Sequence, residues 1–209
     1  MEKEKFYTTV EQEASAEFEE KKSVFIGYAK PIKTEEEAQA FIKEKKKIHA
    51  DATHNVFAYI LKGGAVARYS DDNEPQGTAG MPVLDTIRKS GAEDVCIVVT
   101  RYFGGTLLGA GGLVRAYSHA AKIALDAAHV ITYEKYDVFR LCCTYSEYQK
   151  YLPLIGQVHA ITDQTDFAAD VTLTLAIHQQ RADAFCRGIA EISAGKTAVE
   201  KIGERYDYQ

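Results

Sequence analysis

Short apolar runs alternate with stretches of helical spacing along this chain, which predicts a mixed α and β fold. Residues 16–32 (AEFEEKKSVFIGYAKPI) hold one or two extended runs, stopped by Pro31 and Thr34. Thr34 with Glu37 three residues on is a capping-box pattern. It opens a helix in which Ala38, Phe41, Ile42 and Ile48 share a face. Lys45–Lys47 fall in its last turns, where cations suit the macrodipole, and this reading is preferred to a nucleic-acid patch. Residues 56–61 (VFAYIL) read as a buried strand, Gly63-Gly64 as a hairpin turn and residues 65–69 as the partner strand. Residues 70–82 (SDDNEPQGTAGMP) are loop, residues 81–90 a short helix, and Gly91 its C-cap. Residues 94–100 (DVCIVVT) are the most strand-like segment. Residues 112–128 are the most helix-like, with small residues along one face for close packing.

The second half predicts a long strand over 131–144, a helix over 145–155 and strands over 158–165 and 170–177. A helix over 179–193 and a last strand over 198–206 complete it. That order, β-α-β-β-α-β, is the ferredoxin-like one. We place a boundary at residue 132, giving an α+β protein of two domains, 1–132 and 133–209.

Composition then narrows the function classes. The chain has 209 residues, 46% hydrophobic and 26% charged, as expected of a folded globular protein. Its net charge of −5 argues against binding nucleic acid by bulk electrostatics, so any RNA contact must be a local patch. The N-terminus MEKEKFYTTVEQE has no apolar core of a secretory signal, and no apolar run approaches the ~20 residues of a membrane span. Cys96, Cys142, Cys143 and Cys186 include no C-x-x-C, and adjacent Cys142 and Cys143 should face opposite sides of a strand. The expected compartment is a reducing cytoplasm, with no membrane contact.

Candidate chemistry concentrates in residues 100–117 (TRYFGGTLLGAGGLVRAY). The best strand joins the best helix here through Gly104, Gly105, Gly109, Gly111 and Gly112. Glycines at such a turn let the backbone approach a ligand, and the helix's first N–H groups suit an anion. Arg101 and Arg115 flank the loop and would grip phosphate, while Tyr102 and Phe103 offer stacking surface. No Walker loop is present, and a purely structural strand-to-helix turn is the competing reading. Asp71, Asp72 and Glu74 on the preceding loop would either hold Mg²⁺ or pair with arginine. His119 follows Arg115 on the same helix face and would either line the same cleft or simply cap a packing gap. His49 and His54 lack a third ligand, no histidine motif marks a metal site, and no nucleophile elbow occurs. No metal site and no cofactor are expected.

These segments, TRYFGGTLLGAGGLVRAY with SDDNEPQGTAGMPVLDTI, KSVFIGYAKPI and HNVFAYI, closely resemble the IMPACT family, and within it the bacterial YigZ-type proteins. The resemblance covers residues 16–128, and the second half is similar to the small C-terminal domain of bacterial members. It implies a first domain similar to domain IV of elongation factor G, with an uncommon left-handed β-α-β crossover, and a second similar to domain V. Both relatives contact RNA on the ribosome. Eukaryotic members restrain a starvation-responsive kinase through an additional N-terminal domain. Motifs here begin within the first twenty residues, so that partner is not expected. Family members often carry a lysine where this chain has Leu107, which removes one cation from the loop.

The reading is of a non-enzymatic, translation-associated regulator binding RNA or a ribosome-linked partner through the glycine-rich, arginine-flanked cleft. The alternative is a Mg²⁺-dependent enzyme acting on a nucleotide or phosphorylated substrate at the same loop.

Overall fold

The computed structural model describes residues 7–64 and 66–208. The charged segment 1–6 and Ala65, where the second hairpin strand was expected to begin, lie outside them. The described chain divides into two compact units that meet in sequence after Thr132.

The first unit runs β1 (Tyr7–Val10), β2 (Ala14–Glu20), β3 (Ser23–Pro31), α1 (Glu35–Ile48), β4 (His54–Ile60), β5 (Ala67–Ser70), α2 (Gly80–Ser90), β6 (Val95–Tyr102) and α3 (Ala110–Ala127). Its five-stranded sheet has the order β2-β3-β6-β4-β5, every pair antiparallel. Strand alternation splits the sheet's apolar residues between two cores. Cys96 and Val98 of β6 pack with Ala38, Phe41 and Ile42 of α1 on one face. Val95, Ile97 and Val99 pack with α2 and α3 on the other. α3 lies directly on β3, where a Cβ at Gly27 would sit 2.4 Å from the Ala120 carbonyl oxygen. Thr34 caps α1 as its sequence predicts, accepting from Glu37 N. Glu37 itself accepts from Lys33 N, one residue before the cap.

This topology forces an uncommon crossover. β3 and β4 are parallel across β6, and α1 connects them over one face. β5 and β6 are parallel across β4, and α2 connects them over the other face. The second connection runs antiparallel to the first and in the opposite direction across the sheet, so an in-plane half-turn superimposes the two. Their helices lie on opposite faces, so one of the crossovers is left-handed, against the strong right-handed preference of such units.

The second unit contains most of β7 (Val130–Cys143), then α4 (Tyr145–Gln157), β8 (Ile161–Phe167), β9 (Val171–His178), α5 (Gln179–Ile192) and β10 (Val199–Asp207). Its strands pair antiparallel in the order β10-β7-β9-β8, the ferredoxin-like arrangement. Thr144 and Glu147 form a complete capping box at the start of α4. Phe139, Leu141, Leu173, Leu175, Tyr151 and Phe185 fill the space between sheet and helices. The segment 158–160, expected to start a strand, instead closes α4, since Val158 N and Ala160 N bond to carbonyls of its last turn. β1 was not expected at all.

Cys142 is exposed and Cys143 buried, on opposite faces of β7. Burial pushes the Cys143 thiol up to about 11 and raises that of Cys96 further. A thiol-specific disulfide reagent at pH 8 should therefore label Cys142 in the folded protein and reach Cys96 and Cys143 only on unfolding. Equal labelling rates at Cys142 and Cys143 would contradict this register.

Candidate nucleic-acid interface on the first unit

Arg101 and Tyr102 sit next to each other on β6, so their side chains leave opposite faces of the sheet. Tyr102 faces α1, where its hydroxyl meets His49 Nδ1 at 2.8 Å and donates to Asp51 at 3.2 Å. Burial and the Asp51 carboxylate hold this phenol above its usual range. Arg101 shares the parity of Val95, Ile97 and Val99 and points into the core.

The guanidinium expected to flank the glycine loop is therefore buried, with Arg101 only 5% exposed. Nη1 donates to Glu74 Oε1 at 2.6 Å and Nη2 to Ser23 Oγ at 3.4 Å. The rings of Phe25 and Phe103 lie 5.4 and 5.5 Å from it. Tyr117 of α3 donates its hydroxyl to the same Glu74 oxygen at 2.7 Å, and burial with the Glu74 hydrogen bond raises its pKa. A buried guanidinium needs a partner because desolvation of an unpaired charge is prohibitive. Glu74 fills that role, which leaves Arg101 no free charge with which to grip phosphate.

The other two loop carboxylates are also engaged, each at a different place. Asp71 accepts from Gly77 N, Ala79 N and Gly80 N at 2.9, 3.1 and 2.7 Å, capping α2 from a distance. Asp72 pairs with Lys46 at 2.6 Å and accepts from Asn55 N at 2.6 Å. Asp71, Asp72 and Glu74 thus do not converge on a common point. Among the described residues no group of three side chains is placed to hold a metal ion.

Arg115 is the guanidinium left at the surface. It has no hydrogen-bond or ion-pair partner among the described residues, and its Nη1 lies 3.6 Å from where a Cβ on Gly111 would stand. It therefore overhangs the first turn of α3. Gly109 is the N-cap, with φ 73° and no side-chain cap, and the N–H groups of Ala110, Gly111 and Gly112 have no acceptor among the described residues. Open amide donors and the helix dipole make this end electropositive.

A turn of two lysines lies beside the loop that leads into it. Lys21 and Lys22 form the whole two-residue turn between β2 and β3, with φ of 48° and 65°. A type I′ turn requires positive φ at both central residues and favours Asn-Gly, so two lysines here carry backbone strain. The glycine loop docks on that turn. A Cβ on Gly104 would fall 1.9 Å from the Lys22 carbonyl oxygen, and Gly104 N donates to Ser23 Oγ at 3.2 Å. Lys21, Arg115 and His119 line one recess together with the acidic Glu20, closed by Phe18, Leu108 and Gly112. Gly105 and Gly109 carry positive φ, whereas Gly111 and Gly112 do not, and a Cβ on Gly112 would instead press on the Leu108 side chain.

Several site residues escaped the sequence reading. Lys21 and Lys22 looked like part of an extended run. His54, weighed in the sequence only as a metal ligand, and Tyr117 come from a strand and a helix and meet Glu74 only in three dimensions, although His54 pairs directly with Arg101 across the sheet.

Fold and site define a two-domain α+β protein whose first domain carries a glycine-rich loop and helix start edged by Lys21 and the unpaired Arg115. Residues 21–125 match the Impact N-terminal domain and residues 141–196 a domain of unknown function (DUF1949). The chain is 33% identical over 196 residues to IMPACT family member YvyE of Bacillus subtilis (strain 168), covering 93% of this chain and 90% of that protein. It is 33% identical over 187 residues to IMPACT family member YigZ of Escherichia coli (strain K12), covering 88% and 92%. A protein IMPACT homolog of Dictyostelium discoideum is 38% identical over 112 residues, 51% of this chain and 31% of that one. A solved structure titled as the crystal structure of a hypothetical protein matches 95% of this chain and 98% of its own, at TM-score 0.59 and 30% identity. The chain belongs to the IMPACT family. Among the described residues no helix is long and apolar enough to cross a membrane.

Proposed function

We propose that this protein is a non-enzymatic, translation-associated factor that binds single-stranded RNA or an RNA-bearing ribosomal partner through the platform of Lys21, Lys22, Arg115 and the first turn of α3. The observation that supports this reading most is the placement of Arg115. An unpaired guanidinium over three open amide donors, beside a strained turn made only of lysines, is a cradle for phosphate oxygens. Exposed Phe103 and Leu107 at the loop tip, 44% and 82% accessible, supply apolar surface for bases. With a net charge of −5 the contact is local, so affinity is modest.

Three cations meeting phosphates predict a slope of about −2 in log affinity against log salt for single strands. The decisive variant replaces the lysine turn by a favourable one, Lys21→Asn with Lys22→Gly. Relieving the left-handed strain should raise stability by about 0.5–1 kcal/mol. The same change should lower RNA affinity roughly tenfold and flatten the salt slope towards −0.7. Fluorescence anisotropy with a labelled single-stranded RNA, run beside thermal unfolding, reads both signs. Arg115→Ala should also weaken binding while moving stability by less than about 1 kcal/mol. Unchanged RNA affinity in the stabilised turn variant would remove the platform from the proposed site.

A further inference from the structure

Beside the platform, on the other side of Leu108, lies an open cleft of about 410 Å³. That volume suits one small ligand. One wall is the loop with Phe103 and Leu107, another is formed by Pro75, and Gly109 and Ala110 at the start of α3 form its rim. Its floor is polar. His54, Glu74 and Arg101 line it, with Thr53 and Asn73 beside them.

The floor carries more hydrogen-bonding capacity than the protein itself uses. The Glu74 side chain is 4% exposed, and its Oε1 accepts from Arg101 and Tyr117. Its Oε2 has no partner among the described residues. Arg101 Nε is buried with no partner. His54 Nδ1 lies 2.8 Å from the Asp72 carbonyl oxygen, which can only accept, so Nδ1 carries the proton. His54 Nε2 lies 3.7 Å from Glu74 Oε1. A carboxylate with one uncommitted oxygen therefore lines the cleft, with the Phe103 ring on one wall and open amide donors of α3 at the rim.

We propose that this cleft binds one unpaired guanine nucleotide, with its phosphate on the first turn of α3 and its base along Phe103. The inference rests on the RNA-binding reading above, RNA being the source of that nucleotide. Size, the aromatic wall and the anion-favouring rim select a nucleotide over an apolar metabolite. The Glu74 carboxylate selects the base. The Watson–Crick edge of guanine offers adjacent N1–H and N2–H₂ donors. Adenine and cytosine place an acceptor next to their amino group, and the uracil N3–H stands between two carbonyls that the Glu74 carboxylate repels. A duplex would hide this edge, so the nucleotide must be unpaired.

The test is calorimetric titration of the full chain with GMP, AMP, CMP, UMP and inorganic phosphate, in parallel with the RNA anisotropy assay. GMP should bind about tenfold or more tightly than the other three nucleotides, from two hydrogen bonds to one base edge. Phe103→Ala should weaken GMP about tenfold by removing the stacking wall. Ala110→Pro removes one rim donor at the first helical position, where proline is well tolerated, and should weaken all four nucleotides while preserving the preference for guanine. Amide resonances of Ala110 and Gly111 should shift on adding GMP. Equal binding of the four nucleotides, or GMP affinity untouched by both variants, overturns the inference. RNA binding without any GMP binding overturns the inference and leaves the RNA reading standing. GMP binding with this preference but no RNA binding keeps the cleft and overturns the RNA reading.

Discussion

Glu74→Ala is expected to destabilise the first unit by about 3–5 kcal/mol, the cost of leaving one partner of a buried ion pair uncompensated. Two donors lose their acceptor at once. The Arg101 guanidinium, enclosed between Phe25 and Phe103, keeps only a long contact with Ser23. The Tyr117 hydroxyl, on a side chain with no measurable exposure, is left with nothing to donate to. Because burial alone holds that phenol protonated, it cannot escape by ionising. Thermal unfolding should register a drop of roughly 10–20 °C for a unit of this size. Replacing the cluster together, Glu74→Leu with Arg101→Met and Tyr117→Phe, should restore most of the loss, since an apolar cluster avoids the desolvation penalty. A loss below about 1 kcal/mol for Glu74→Ala would mean the pair is screened by water, against the burial described above.

That cluster marks where sequence reasoning stopped short. β6, α3 and the Thr34 cap were legible because each carries a strong local signal: an unbroken apolar run, a helical stripe of alanines, a capping pair. The ferredoxin-like order of the second half followed from the succession of such signals. β1 has four residues, two of them threonines, which is too short for periodicity to register. The opposite facing of Arg101 and Tyr102 was available from strand alternation alone. Parity with Val95, Ile97 and Val99 already places Arg101 on a buried face, where a charge demands a partner. Which carboxylate answers it is not local information. Glu74 reaches Arg101 from 27 positions away, through a loop whose course depends on Asp71 holding the start of α2. The lysine turn was hidden for a different reason. Its residues contradict the turn chemistry that a two-residue hairpin loop normally announces, and such local contradictions collect at sites of function.

The five glycines of the loop are not equivalent. Gly104→Ala should have the second largest effect. The added Cβ would meet the Lys22 carbonyl carbon at 2.0 Å and Ser23 N at 2.5 Å, and both are backbone atoms of a paired hairpin that cannot swing aside like a side chain. The loop must separate from the turn, at an expected cost of about 2–3 kcal/mol. Separation also breaks the bond from Gly104 N to Ser23 Oγ and moves Lys21 and Lys22 away from Arg115. RNA affinity measured on the folded fraction should therefore fall together with stability. Gly111→Ala is the matched control, because its Cβ would meet only Arg115 Nη1 at an ordinary 3.6 Å. In a helical position it should gain about 0.5–1 kcal/mol and leave the platform assembled. Wild-type RNA affinity in folded Gly104→Ala would show that the docking of loop on turn matters to stability alone, and that the cations act without it.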